Sequence, residues 1–113
     1  MKRERARNHL QTGISTTEAC HLTGLTYRVL DYWVRVHAVV PTEPSYSSGI
    51  PRIWSEDDVE ILRALAYVQQ DLTELDIPGM PSDLVKRLWK ELQRSPVAHI
   101  QTGTVTIKVE RAS

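Results

Sequence analysis

With 113 residues, 41% of them hydrophobic, and 14 lysines and arginines balanced by 14 aspartates and glutamates, the chain has material for one small domain with a modest core. No apolar run reaches bilayer-spanning length and no charged-then-apolar leader precedes a small-residue cleavage site, which predicts a cytoplasmic protein with no membrane partner. The single cysteine, Cys20, excludes an intramolecular disulfide and a multi-thiolate metal centre within one chain.

Residues 1–13 are polar and basic, carry Lys2, Arg3, Arg5 and Arg7, and read as a flexible arm. Ser15 then opens a helix. Its hydroxyl is placed to cap the Glu18 amide, Glu18 to reach back to Ser15, and Ile14 to staple onto Ala19, with the helix running from about Thr16 to Leu22. Gly24 stands where the chain must leave that helix with positive φ, and Thr26 supplies the cap of a second helix over about Tyr27 to Val36. Two short helices joined this tightly outline a helix-turn-helix, in which the second helix is the one able to enter a major groove.

The stretch from Pro41 through Pro44, Gly49 and Pro51 is too proline-laden for a central strand, but Val39-Val40 and Arg52-Ile53-Trp54 flank it and are expected to pair as a small wing hairpin. Ser55 and Asp58 form a second capping box, and the acids at 56–58 suit the positive end of a helix dipole. The third helix is expected from about Glu56 to Gln70, burying Val59, Leu62 and Leu65 or Ala66, with Asp71 to Met80 as a linker. Pro81 opens a fourth helix that ends near Arg94, and Leu84, Val85, Leu88, Trp89 and Leu92 make one broad apolar face on it. The period then changes to two over Thr104 to Val109, with Val97 to Ile100 as its partner strand. The expected fold is mainly α: a winged helix-turn-helix with a short wing hairpin, a fourth helix and a C-terminal β-hairpin.

Charge is neutral in sum but not in distribution. Residues 1–52 hold seven lysines and arginines against four acids, and residues 53–113 hold seven against ten, so the half with the helix-turn-helix is the basic one. Local potential steers a polyanion, which keeps double-stranded DNA as the partner. On a helix beginning at Tyr27, Leu30, Trp33 and Val34 share the inward stripe, joined in the core by Leu22 and Trp54, whereas Tyr27, Arg28, Asp31, Tyr32 and Arg35 lie outward. Arg28, near the helix start beside Thr26, suits a guanine edge or a phosphate, and Tyr27 and Tyr32 offer hydroxyls to backbone oxygens. An ion pair of Asp31 with Arg28 or Arg35 on a merely solvated face remains open. Arg52 is placed to reach phosphates or the narrow groove from the wing, and Arg7 to lie along the minor groove with its arm.

Chemistry has little purchase elsewhere. Cys20 reads as a small buried hydrophobe, and His9, His21, His37 and His99 lack ligand spacing, so no metal or cofactor is expected. With no glycine-rich phosphate cradle and no nucleophile beside a base, the chain reads as no enzyme and offers no catalytic residues.

Taken in order, Thr23-Gly24, the aromatic pair Tyr32-Trp33, Pro41, Arg52, Trp54 and Ser55-Glu56-Asp57-Asp58 resemble the MerR family of transcription regulators over about residues 14 to 70. The resemblance implies a bacterial or phage regulator that binds specific double-stranded DNA as a homodimer, with RNA polymerase as a further partner. Asp31 stands where many members carry arginine, and Pro51 where an aromatic usually precedes the wing arginine. Two other classes stay open: a phage-type excisionase that bends DNA through a closely similar winged domain, and a helix-turn-helix used for protein assembly. The fourth helix and hairpin favour the regulator.

This places an arm at 1–13, a DNA-binding domain at 14–77 and a dimerisation element at 78–113. The family's long coiled-coil helix is not readable here, so Leu88, Trp89 and Leu92 on the fourth helix and Val105, Ile107 and Val109 on the last strand are the expected dimer contacts. On that arrangement a chain without 96–113 folds as a monomer. The alternative, that both faces cap the chain's own core, is also open.

Overall fold

The computed structural model describes residues 13–42, 53–74, 80–102 and 104–111. Among them the chain forms helices α1 (Thr16–Thr23), α2 (Tyr27–Arg35), α3 (Glu56–Glu74) and α4 (Ser82–Arg94), followed by strands β1 (Val97–Thr102) and β2 (Val105–Glu110). The fold is mainly helical with a small antiparallel hairpin at the C-terminal end. α3 is the hub, packing against α1, α4 and β2, while α4 packs on β1.

Helix starts follow their caps. Ser15 Oγ accepts from the Glu18 amide at 3.1 Å, Thr26 Oγ1 from Val29 at 3.1 Å, and Ser55 Oγ from Asp58 at 3.0 Å. α1 ends at Gly24, whose φ of 84° is the left-handed region, and its amide donates to the Cys20 carbonyl. α2 ends in the same left-handed way but without a glycine. His37 has φ 62°, its amide donates to Val34, and the Ala38 amide donates five residues back to Trp33, the paired bonds of a Schellman cap. Histidine is among the side chains that tolerate this region, but no glycine signals it in the sequence.

Two boundaries depart from expectation. α3 continues to Glu74, four residues beyond Gln70, because Leu72 extends the buried stripe of Leu65 and Val68 and no helix breaker precedes Pro78. Of the expected wing pairing between Val39-Val40 and Arg52-Ile53-Trp54, Arg52 lies outside the described residues, and among the described ones Val39 and Val40 are not bridged to Ile53 or Trp54. Trp54 exchanges both backbone hydrogen bonds with Ile14, each 2.8 Å, and the Val39 amide is drawn to the Trp33 carbonyl at the end of α2. Gly13 makes this bridge possible, since a Cβ there would lie 1.7 Å from Ile53 Cγ2. The wing tip, with Arg52, and the arm, with Arg7, lie outside the described residues.

In the hairpin, Ala98 pairs with Val109 and Ile100 with Ile107, which sends those four toward the helices. His99, Gln101, Thr106, Lys108 and Glu110 face solvent. The core is one cluster that runs from Ala19 and Leu30 through α3 to Val85, Leu88, Trp89, Leu92, Ala98, Ile100 and Val109. This corrects the dimer assignment: Leu88, Trp89, Leu92 and Val109 are buried within the chain and Ile107 packs on the same cluster. The Val105 side chain lies outside the described set. Helical periodicity names an apolar face, not its partner, and here the partner is the chain's own hairpin and α3.

Trp54 joins the two ends of this core. Its ring is fully buried, meets Trp89 edge-on at 6.4 Å and 87°, and donates from Nε1 to Thr16 Oγ1 at 3.0 Å. Asp58, 5% exposed, closes the base of the wing: its Oδ2 accepts from the Ser55 amide at 3.0 Å, the Thr42 amide at 2.9 Å and the Thr42 hydroxyl at 2.6 Å. Asp58→Ala should therefore lower stability by about 2 to 3 kcal/mol, because two backbone donors lose their acceptor together. Asp58→Asn, which keeps an oxygen in place, should cost less. Urea unfolding with an unchanged m-value measures the difference, and equal losses in the two variants would contradict this account.

Candidate nucleic-acid interface

The first two helices are set by a buried threonine that sequence reasoning treated only as part of a turn. Thr23 Oγ1 donates to the Ala19 carbonyl at 2.8 Å and accepts from the Leu25 amide at 3.2 Å, so one hydroxyl ties the last turn of α1 to the segment that starts α2. Ala19 and Thr23 take the inward positions of α1, four residues apart. Leu22 is thereby rotated outward and is 44% exposed, which corrects its placement in the core. Arg63 of α3 donates from Nε to the Leu22 carbonyl at 3.2 Å, a cation at the negative end of α1. Leu25 is buried, and the turn is held from both sides.

α2 is strongly two-faced. Leu30 and Trp33 are buried and Val29 and Val34 pack on the core, while Tyr27 and Tyr32 are 55% and 54% exposed and Arg28 and Arg35 stand in solvent. Two large aromatic side chains left in water beside two arginines are not what burial alone would select. Thr26 is exposed, with its oxygen engaged as the helix cap. Asp31 and Arg35 form the ion pair anticipated as one possibility: Arg35 Nη2 lies 2.6 Å and Nε 3.1 Å from Asp31 Oδ2. That bond favours the charged form of the Arg35 guanidinium and raises its pKa above the ordinary value. Arg28 makes no ion pair with a described residue.

The structure thus brings Thr26, Tyr27, Arg28, Asp31, Tyr32 and Arg35 onto one helix, and Val36 and Val40 continue the exposed surface past its end. This face presents positive charge, hydroxyl donors and aromatic ring faces together on one helix. Among the described residues no group of three His, Cys, Asp or Glu side chains could hold a metal ion. Cys20 is half-buried, and burial pushes its thiol up, which leaves it a poor nucleophile. A shallow cleft of about 320 Å³ lies between the helix-turn-helix turn and α3, bordered by Leu25, Val29 and Tyr67. No described helix is long and apolar enough to cross a membrane.

The elements that build this surface coincide with a known sequence pattern. The sequence model of the family described as MerR HTH family regulatory protein matches residues 14–75. Proteins of Mycobacterium bovis and Mycobacterium tuberculosis, each named an uncharacterized HTH-type transcriptional regulator, are 42% identical over 52 residues, which is 45% of this chain and 23% of each relative. The chain therefore matches less than a quarter of the length of those regulators.

Proposed function

The chain belongs to the MerR HTH family of regulatory proteins, and from that premise we propose that it is a sequence-specific double-stranded DNA-binding transcription regulator that inserts α2 into the major groove. The observation that carries the reading is the division of α2 into a buried face of Leu30 and Trp33 and an exposed face of Tyr27, Arg28, Tyr32 and Arg35. Thr26 and Arg28, at the helix start, enter a groove approached end-on, Tyr32 flanks the backbone, and Arg35 adds its guanidinium one turn after Asp31. Arg52 on the wing and Arg7 on the arm supply further phosphate contacts. RNA polymerase is the partner through which such a regulator acts at a promoter.

Binding should fall steeply with salt, because affinity in such an interface comes largely from counterion release. Arg28→Ala should weaken the selected duplex by about 1 to 3 kcal/mol and relax preference at one base pair if its contact is to a base, whereas Arg52→Ala should weaken all duplexes alike. Fluorescence-anisotropy titration against duplexes recovered by selection from genomic fragments tests both variants. Unchanged binding by the double variant, with circular dichroism intact, would remove the DNA-contact assignment.

A single module neutralises few phosphates, so the functional unit is proposed to be a homodimer whose two copies reach two half-sites. With the apolar face of α4 committed to the core, the surface proposed for it is the outer edge of β2, which among the described residues pairs with β1 alone. A two-fold antiparallel register centred on Val109 sets Lys108 of each copy opposite Glu110 of the other. Sedimentation at tens of micromolar, with Lys108→Glu as the variant that sets like charges opposite each other across the two-fold, reports the assembly independently of DNA.

A further inference from the structure

Asp31 is a carboxylate in the middle of the surface formed by Tyr27, Arg28, Tyr32 and Arg35, where negative charge works against phosphate binding. Its side chain is 17% exposed, while that of Arg35 is 73% exposed. Asp31 Oδ2 takes both Nε and Nη2 of Arg35, at 3.1 and 2.6 Å, and so occupies the lateral edge of the guanidinium. Two of its five N–H groups are used there. The terminal edge keeps one outward N–H on each of Nη1 and Nη2, a parallel pair that matches guanine O6 and N7 or two phosphate oxygens.

An untethered arginine on an exposed helix face offers either edge to any phosphate within its reach. One held from the next helical turn offers a single edge in a single direction, and less freedom is lost when it binds. The same carboxylate repels backbone phosphates that approach without that register, which is how a repulsive element separates a right site from a wrong one.

We propose that Asp31 is a specificity-determining residue of the DNA interface: through its bond to Arg35 it positions the terminal edge of that guanidinium for one base pair and withholds the surface from indiscriminate phosphate binding. It is a positioning residue, and the proposal rests on the reading of α2 as the groove-entering helix.

The test uses the full chain and two probes, a duplex selected by the wild-type protein from a random pool and a scrambled duplex of the same composition. Asp31→Ala should tighten the scrambled duplex about 3- to 10-fold, with a salt slope steeper by about 0.9 for each phosphate newly engaged. The ratio of selected to scrambled affinity should fall about tenfold or more, and base preference should relax at one position on reselection. Arg35→Ala should erase the same preference, and adding Asp31→Ala to it should leave base preference unchanged while still tightening the scrambled duplex. A selected-to-scrambled ratio unaltered by Asp31→Ala, or an equal loss of base preference in the Arg35→Ala background, overturns the proposal. Recovery of no duplex by the wild-type protein is a different failure: it removes the groove reading of α2 itself, and the proposal with it.

Discussion

Trp54→Ala should lower folding stability by about 3 to 5 kcal/mol, the range for emptying a fully buried large aromatic site, and should abolish DNA binding at temperatures where the wild-type protein binds. Three separate contacts converge on this side chain. Its ring fills the space between the helix-turn-helix and α4, its edge contact with Trp89 fixes the approach of the C-terminal half, and its Nε1 holds Thr16 at the first residue of α1. The backbone of the same residue is the bridge to Ile14. Trp54→Phe separates these roles, keeping a ring while removing the N–H, and should cost about 1 to 2 kcal/mol, with Thr16 left to bond water. Urea unfolding of both variants, read by far-UV circular dichroism so that loss of indole fluorescence does not confuse the signal, gives the two numbers. A loss below 1 kcal/mol for Trp54→Ala would mean that the two halves do not share a core.

Removal of residues 97–111 should be more severe, leaving a chain with helical far-UV signal but no cooperative unfolding transition. Ala98, Ile100 and Val109 leave the core together, and the faces of Val85, Leu88, Trp89 and Leu92 that they cover become exposed. At about 1.5 to 3 kcal/mol for each large aliphatic side chain, the loss is comparable with the whole stability of a domain of this size, about 5 to 15 kcal/mol. Arg111 goes too. Its Nη2 lies 2.9 Å from both Asp57 Oδ1 and Glu60 Oε1, and its amide donates to Pro96, which ties the end of β2 to the first turn of α3. Arg111→Ala alone should be mild, since Asp57 is largely exposed. A truncated protein with a sharp transition and native-like near-UV spectrum would show that the hairpin is an appendage.

Much of the site was readable from residues alone, because helix starts are encoded locally. A cap hydroxyl and the amide three residues on are fixed by the same short segment, so Ser15, Thr26 and Ser55 announced α1, α2 and α3, and Gly24 announced its left-handed turn. Once α2 began at Tyr27, a period of 3.6 residues placed Leu30 and Trp33 inward and Tyr27, Arg28, Tyr32 and Arg35 outward. Helix ends were less legible. α2 stops on a left-handed histidine, and α3 runs on to Glu74 because a buried Leu72 extends its stripe. The Asp31 to Arg35 bond was available from spacing, but the choice of Arg35 over Arg28 depended on side-chain geometry.

The amino-acid sequence by itself determined the order of the elements, the buried and exposed faces of α2 and the alternation of the final hairpin, since each follows from interactions between residues a few positions apart. Only the tertiary structure decided what those faces meet. It drew Trp54 to Ile14 instead of Val39-Val40, gave Asp58 the Thr42 amide and hydroxyl as partners across 16 residues, turned Leu22 out in favour of Thr23, and spent the α4 stripe on the chain's own core. Periodicity states that a surface must be covered, and the hydrophobic effect, being non-directional, does not state by what. That choice belongs to the packing of the whole chain.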